Sequence, residues 1–119
     1  MTRPLAGKVA VVTGAGGGIG TAAVNRLAEL GAAIAAVDVD AAGADAAVAS
    51  VREHGGDGIS LAVDLASADA PGEIVARTVD GLGRLDVLVN NAGTGTKGEQ
   101  FPDVGAATFD RVIAVNLRG

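Results

Sequence analysis

A glycine-rich turn near the start of the chain is the segment whose residue types point most directly to chemistry. Residues 8–20 read KVAVVTGAGGGIG, a short β-branched apolar run followed by glycines and then by the start of an apolar helical pattern. A strand, a glycine turn and a helix in this order direct main-chain N–H groups and the positive end of the helix dipole at a phosphate. Glycine has no Cβ to hold a ligand away from the backbone. The segment therefore predicts an anion-binding turn.

The spacing of these glycines distinguishes between known phosphate-binding loops. A strict G-x-G-x-x-G fails when it is read from Gly14, because position 19 is Ile19, and it fails at Thr21 when it is read from Gly16. The P-loop pattern fails as well, because no lysine follows the glycines before Lys97. The pattern that fits is T-G-x-x-x-G-x-G, from residue 13 to residue 20. A turn that only joins a strand to a helix is the alternative interpretation.

An aspartate after the second apolar run is the next residue that could bind a nucleotide. Asp38 follows Gly20 at close to the spacing, about 20 residues, at which an acidic side chain meets the adenosine ribose. Its carboxylate would accept hydrogen bonds from the ribose hydroxyls and would repel a 2′-phosphate. Because no Arg or Lys stands in the glycine turn or just after Asp38, the sequence predicts NAD rather than NADP. The alternative is a solvated turn-capping aspartate, a role that we assign to Asp40.

Four strand-and-helix units, in strict alternation, would position these residues. The apolar runs predict buried strands at 9–12, 33–37, 59–63 and 86–89. Helical periodicity predicts a first helix that ends at Gly31, a second that begins after Asp40 and closes at Gly55, a third over 71–82 and a fourth over 104–118. The predicted inward residues are Ile19, Ala23, Leu27 and Leu30 in the first helix, Ala44, Ala47, Val48 and Val51 in the second, Ile74, Val75, Val79 and Leu82 in the third, and Phe109, Val112, Ile113 and Leu117 in the fourth.

This alternation predicts an α/β fold over residues 1–119, a doubly wound, three-layer α/β/α Rossmann fold in a single domain. Short connections imply a parallel sheet with right-handed crossovers and helices on both faces, and the strand order is predicted as 3-2-1-4. Ligands of such folds bind at the carboxyl ends of the strands, where the order reverses between strands 1 and 4. Gly14, Asp38, Asp64 and Asn91 each follow the end of a predicted strand.

Two motifs in the right order resemble the classical short-chain dehydrogenase/reductase (SDR) family. One is the T-G-x-x-x-G-x-G pattern, and the other is N-N-A-G at residues 90–93, after the fourth strand. The resemblance runs from residue 6 to residue 119 and covers the first half of the family's pattern, up to but not including strand 5. It implies an NAD(P)-dependent oxidoreductase that transfers hydride between the nicotinamide cofactor and a secondary alcohol or ketone.

The resemblance also implies roles for individual residues. Asp64 would bond the adenine amino group with help from the main chain of Leu65, and Asn116 would be a catalytic residue that holds a water in a proton relay. The alternative for Asp64 is an aspartate at the start of a helix, and the alternative for Asn116 is a residue that satisfies the last turn of a helix. The alternative for the N-N-A-G segment is a structural role, in which its Asn side chains tie strand ends together by hydrogen bonds. The implied cofactor-binding residues are Thr13, Gly14, Gly18, Ile19, Gly20, Asp38, Asp64, Leu65, Asn91, Ala92 and Gly93.

The family's general acid has no counterpart in these residues. The family uses a tyrosine, a lysine four residues later and a serine, whereas this chain has no tyrosine and its only lysines are Lys8 and Lys97. Ser50, Ser60 and Ser67 do not fall at the position of the family's serine. We therefore expect the chain alone to be inactive. Because strand 4 would lie at an exposed edge of the sheet, we also expect the chain to pair with a second copy or with a complementing C-terminal segment.

Composition excludes several other classes of function. The net charge is −5 and no Lys/Arg run occurs, so neither nucleic acid nor an anionic membrane is a predicted partner. The absence of cysteine removes disulfides, thiolate chemistry and Cys-ligated metals, and no metal site is predicted. No apolar run approaches a membrane span, and residues 1–4 lack a signal-peptide core, so we expect a cytoplasmic protein.

Two functions from different classes remain open. The first is an SDR oxidoreductase, favoured by the N-N-A-G motif and by the segment around Asn116. The second is a catalytically silent dinucleotide-binding module, favoured by the missing tyrosine. A flavin or nucleotide-sugar domain is disfavoured because Ile19 breaks the strict glycine pattern.

Overall fold

Four parallel strands alternate with helices in the computed structural model, which describes residues 3–93, 106–113 and 115. The sheet has the order β3-β2-β1-β4, as predicted, and every strand lies within one residue of its predicted bounds. The elements are β1 (Val9–Thr13), α1 (Gly18–Glu29), β2 (Ala33–Asp38), α2 (Ala41–Glu53), β3 (Gly58–Ala62), α3 (Ala70–Leu82), β4 (Val87–Val89) and α4 (Ala106–Ile113).

The two central strands are buried on both faces, which explains their uninterrupted apolar sequences. Along β1, successive side chains enter different cores, because a strand alternates faces with a period of two. Val12 packs with Val24 of α1 and Val48 of α2 on one face of the sheet. Val11 packs with Ile74 of α3 on the other face. The described helices therefore cover both faces of the sheet, as in a doubly wound α/β/α fold.

The predicted ends of the helices follow from specific residues. Asp40 precedes α2, and its Oδ1 accepts a hydrogen bond from the main-chain N–H of Ala42 at 3.1 Å. Gly31 follows α1 with φ of 106°, a left-handed conformation that favours glycine. Gly83 ends α3 in the same way, with φ of 87°. These local signals explain why the helices begin and end close to the predicted residues.

Three of the predicted inward positions were wrong. Val75 and Val79 of α3 are 50% and 43% exposed, and Ile19 of α1 is 78% exposed. Ile74 is buried as predicted, but the face of α3 that contacts the sheet continues with the fully buried Thr78, so a count of apolar residues placed part of the stripe wrongly. Ile19 lies in the first turn of α1 and borders a cleft rather than the sheet. The predicted residues Phe109, Val112 and Leu117 lie outside the described side chains.

Strand β4 lies at the edge of the sheet, as predicted. It pairs with β1, where Leu88 stands opposite Val11. Leu88 is 55% exposed, and because partners in a parallel ladder point to the same face, it lies on the face that α3 partly covers. Among the described helices, none has both the length and the hydropathy needed to cross a bilayer.

Candidate functional site

A cleft of about 440 Å³ lies at the carboxyl ends of the strands, where the strand order reverses. Residues that follow all four strands contribute to its walls, although they are far apart in the sequence. All the predicted cofactor residues except Thr13 line it, namely Gly14, Gly18, Ile19, Gly20, Asp38, Asp64, Leu65, Asn91, Ala92 and Gly93.

The glycine turn closes tightly at the base of this cleft. Gly14 has φ of 64°, and a Cβ built on it would meet the Cα of Ala92 at 2.9 Å. A Cβ on Gly20 would overlap the carbonyl oxygen of Gly14. The first N–H groups of an α-helix have no partner within the helix, and Gly17, which precedes α1, has no side chain to cap them. The turn therefore presents main-chain donors and the positive end of α1 to the cleft.

The carboxylate of Asp38 is fixed across the glycine turn. Its Oδ2 accepts a hydrogen bond from the N–H of Gly16 at 2.9 Å, and its Oδ1 accepts one from the N–H of Asp40 at 3.0 Å. An ionised carboxylate has about four acceptor positions, so two lone pairs are left for a ligand. Asp38 is half-buried and lines the cleft rather than pointing into the core. It thus presents an oriented, negatively charged acceptor.

Thr13 lies beneath the cleft and ties two of its walls together. The hydroxyl accepts hydrogen bonds from the main-chain N–H groups of Asn91 and Ala92, each at 3.0 Å, and donates one to the carbonyl of Val89 at 3.3 Å. In return, Nδ2 of Asn91 donates to the carbonyls of Thr13 and Gly14, both at 3.2 Å. The N-N-A-G segment is thereby held against the glycine turn. The strand-tying interpretation of this motif and its place in the cleft wall are compatible.

Asp64 lies beyond the end of β3 and forms an ion pair with a residue of α4. Its Oδ1 accepts a hydrogen bond from the N–H of Ala66 at 3.0 Å, and its Oδ2 accepts one from Nη1 of Arg111 at 2.9 Å. These two bonds, that of Arg111 first, lower the pKa of the Asp64 carboxyl below its ordinary value. Asp64 therefore stays ionised near neutral pH and acts as an acceptor only.

Five further residues of the cleft wall were not predicted, namely Gly17, Val37, Val39, Arg111 and Val115. Val39, which is 62% exposed in the structure, carried a usable signal in the sequence, because it is an apolar residue directly after Asp38. Arg111 carried none, because its place depends on how α4 docks. The predicted catalytic residue Asn116 lies outside the described residues.

A profile of the family described as short chain dehydrogenase matches residues 8–119. An uncharacterized oxidoreductase from Thermotoga maritima is 40% identical over 113 residues, covering 95% of this chain and 44% of the relative. The short-chain reductase protein NovJ from Streptomyces niveus is 42% identical over 111 residues, covering 93% of this chain and 42% of the relative. The chain thus spans less than half the length of these two relatives.

Solved structures with the same fold contain either form of the nicotinamide cofactor. A metagenomic short-chain oxidoreductase in complex with NADP has a TM-score of 0.89 at 40% identity, covering 97% of this chain and 52% of that one. An NAD⁺-bound xylitol dehydrogenase has a TM-score of 0.87 at 41% identity, covering 95% of this chain and 44% of that one.

Proposed function

The chain belongs to the short-chain dehydrogenase family, an oxidoreductase family, and we propose that it is the NAD-binding part of an enzyme that transfers hydride between the cofactor and a secondary alcohol or ketone. The observation that carries this proposal is the oriented carboxylate of Asp38 beside the first turn of α1. A dinucleotide needs donors for its diphosphate and an acceptor for its ribose hydroxyls, and the cleft offers both within one wall.

The preference for NAD over NADP is the more specific part of the proposal. Both solved neighbours bind a nicotinamide cofactor, but one binds NAD and the other NADP, so the comparisons favour neither. The support comes from Asp38, whose charge would repel a 2′-phosphate placed on the ribose. Residues 14–20 and 39–43 contain no Lys or Arg to offset that repulsion.

In this proposal the chain's own residues bind and orient the cofactor, and bound nicotinamide supplies the hydride chemistry. The N–H groups at the start of α1 would hold the diphosphate, Asp38 the adenosine ribose and Asp64 the adenine amino group. The tight contact between Gly14 and Ala92 would let the main chain approach the second ribose. Ile19, which is 78% exposed at the cleft, would be covered by the dinucleotide.

The general acid of the reaction lies outside these 119 residues in the proposed scheme, because the chain contains no tyrosine. We therefore propose that the chain alone binds the cofactor without turnover, and that Asn116 contributes to a proton relay in the whole protein. The second candidate, a silent dinucleotide-binding module, is favoured by the same missing tyrosine. The exposed edge at Leu88 would be covered by a second copy or by a complementing segment.

Side-by-side titration with NADH and NADPH, followed by cofactor fluorescence, tests the proposal. We expect NADH to bind more tightly. Asp38→Ala should weaken NADH binding about tenfold, because an ionised acceptor is lost, and should narrow the gap between the two cofactors. Asp80→Ala is the matched control, since Asp80 is an exposed aspartate of α3 that does not line the cleft. Equal affinity of the wild-type chain for both cofactors would contradict the NAD preference.

A further inference from the structure

Among the described residues that line the cleft, Arg111 is a cation whose role the proposed hydride transfer leaves unexplained. Arg111 of α4 lines the cleft and donates from Nη1 to Oδ2 of Asp64 at 2.9 Å, across a sequence separation of 47 residues. The two side chains are 45% and 43% exposed. Exposed ion pairs contribute little to folding stability, so this pair is a poor candidate for a stabilising device. Its position suggests an effect on ligand binding instead.

The hydrogen bonds to Asp64 leave room for a ligand. One oxygen accepts from the N–H of Ala66 at 3.0 Å, and the other accepts from Arg111. Each oxygen therefore retains one lone pair. With both oxygens anchored, the carboxylate cannot rotate freely, and the pKa lowered by Arg111 keeps it ionised. A purine 6-amino group is a donor that this acceptor would match, whereas a 6-oxo group presents a second acceptor and would be repelled.

We propose that Arg111 is a positioning residue for the adenine subsite, an inference that rests on the proposed function. Its guanidinium anchors Asp64 so that the free lone pairs of the carboxylate meet the adenine amino group. Selection of adenine over a 6-oxo purine then depends on a residue that does not itself contact the base. The pair also links occupancy of this subsite to the position of α4.

The experiment compares NADH with its hypoxanthine analogue, deamino-NADH, which carries a 6-oxo group in place of the amino group. We expect the wild-type chain to bind NADH about tenfold more tightly than the analogue. Arg111→Gln should reduce that ratio to about twofold or less, mainly by weakening NADH binding. The ratio is the informative readout, because a general loss of structure would weaken both dinucleotides together.

Arg77→Gln is the matched control, because Arg77 forms an ion pair with Glu73 on α3 whose side chains are 46% and 47% exposed. This variant should keep the wild-type ratio. Asp64→Asn, alone and combined with Arg111→Gln, completes a double-mutant cycle. Each change should have little further effect on the ratio once the other is present. The cycle therefore tests the role of this ion pair in the affinity ratio without relying on Arg111→Gln alone.

Distinct outcomes overturn the two proposals. If the wild-type chain binds neither dinucleotide, the proposed function fails and the role of Arg111 fails with it. If the chain binds NADH and Arg111→Gln leaves the ratio unchanged, only the role of Arg111 is overturned. Tighter NADH binding in Arg111→Gln would also overturn it, because Arg111 would then compete with adenine for Asp64.

Discussion

The hydroxyl of Thr13 lies 3.0 Å from the main-chain nitrogen of Asn91, and this contact joins the end of β1 to the segment after β4 at the point where the strand order reverses. The same oxygen accepts from Ala92. This buried side chain, together with the Asn91 amide that donates to the carbonyls of Thr13 and Gly14, therefore holds the glycine turn against the opposite wall of the cleft. Thr13 acts on a ligand through the segment that it holds.

Thr13→Val should destabilise the chain and weaken its binding of NADH. Valine matches the shape of threonine but cannot accept from the two N–H groups. Because Thr13 is 3% exposed, the N–H of Ala92 would lose its partner beside a buried side chain, whereas the N–H of Asn91 would keep the carbonyl of Val89 at 3.1 Å; the expected cost is about 1–3 kcal/mol. Urea unfolding and an NADH titration measure the two effects. Thr13→Ser, which keeps the hydroxyl, should remain close to wild type, and equal losses in both variants would argue against the hydrogen bonds.

Gly18 and Gly20 should respond differently to alanine, although both line the cleft. A Cβ on Gly18 would meet no atom of the described residues within 4 Å beyond its own helix backbone and chain neighbours, whereas one on Gly20 would overlap the carbonyl of Gly14. Gly18→Ala should therefore leave the unfolding midpoint unchanged or slightly raised, and it should weaken NADH binding by filling space beside the first turn of α1. Gly20→Ala should lower the midpoint itself. If Gly18→Ala and Gly20→Ala gave the same unfolding curves and the same NADH titrations, this distinction would be contradicted.

Much of the fold could be predicted because its determinants are local. Continuous β-branched runs marked β1 and β2, Asp40 marked the start of α2, and Gly31 marked the end of α1. Parallel order then followed from the alternation of elements and the handedness of their crossovers. The glycine turn and Asp38 were predicted as site residues because both follow strand ends, where the ligands of such folds bind.

The rest depends on contacts between residues far apart in the sequence. Val75 and Val79 were assigned to the core because they are apolar, yet the buried stripe of α3 includes Thr78, which the sequence could not place against the sheet. The pairing of Arg111 with Asp64 depends on the docking of α4, for which no local pattern exists. The relation of Thr13 to Asn91 likewise required the observed pairing of β1 with β4.

Thr78→Val should stabilise the chain. The hydroxyl of Thr78 is fully buried and has no hydrogen-bond partner among the described residues. Valine has the same shape and similar helix propensity, so it removes an unsatisfied polar group without opening a cavity. The expected gain in the free energy of unfolding is about 1 kcal/mol, measured by urea denaturation. The reverse change in another buried helix position, Val24→Thr, should destabilise the chain, and a loss of stability in Thr78→Val would indicate a hidden partner for the hydroxyl.

Asp86 should contribute stability that depends on pH. Arg84 donates to both carboxylate oxygens, at 2.8 and 2.7 Å, and the N–H of Val9 donates at 2.9 Å. These bonds, that of Arg84 first, lower the pKa of Asp86 in the folded chain below its ordinary value of 3.8. The contribution is therefore fully present above about pH 4 and is lost as the pH falls through the folded-state value.

Asp86→Asn should accordingly lower the Tm at neutral pH, and the difference from wild type should shrink as the pH is lowered below 4. Thermal unfolding followed by circular dichroism across this range measures the difference. Asp80→Asn, an exposed aspartate for which no hydrogen bond is observed in the described part of the chain, controls for the change in net charge. A Tm difference that stays constant with pH would show that the carboxylate charge of Asp86 does not matter.

The exposed edge of the sheet should make the chain self-associate. Strand β4 has β1 as its neighbour, and in the described part of the chain no strand pairs with its other side. Leu88 is 55% exposed there, so an unpaired strand edge carries an exposed apolar side chain. A second copy that pairs with β4 would satisfy the free N–H and C=O groups and cover this side chain.

Leu88→Lys should shift this association toward the monomer, because a charged side chain on an edge strand opposes pairing. Sedimentation velocity over a dilution series measures the shift, and the unfolding midpoint of the wild-type chain should fall on dilution for the same reason. Ala22→Lys, which adds the same charge at an exposed position of α1, should leave the association unchanged. A wild-type chain that is monomeric throughout the series, with an unfolding midpoint independent of concentration, would show that the edge of β4 is tolerated without a partner.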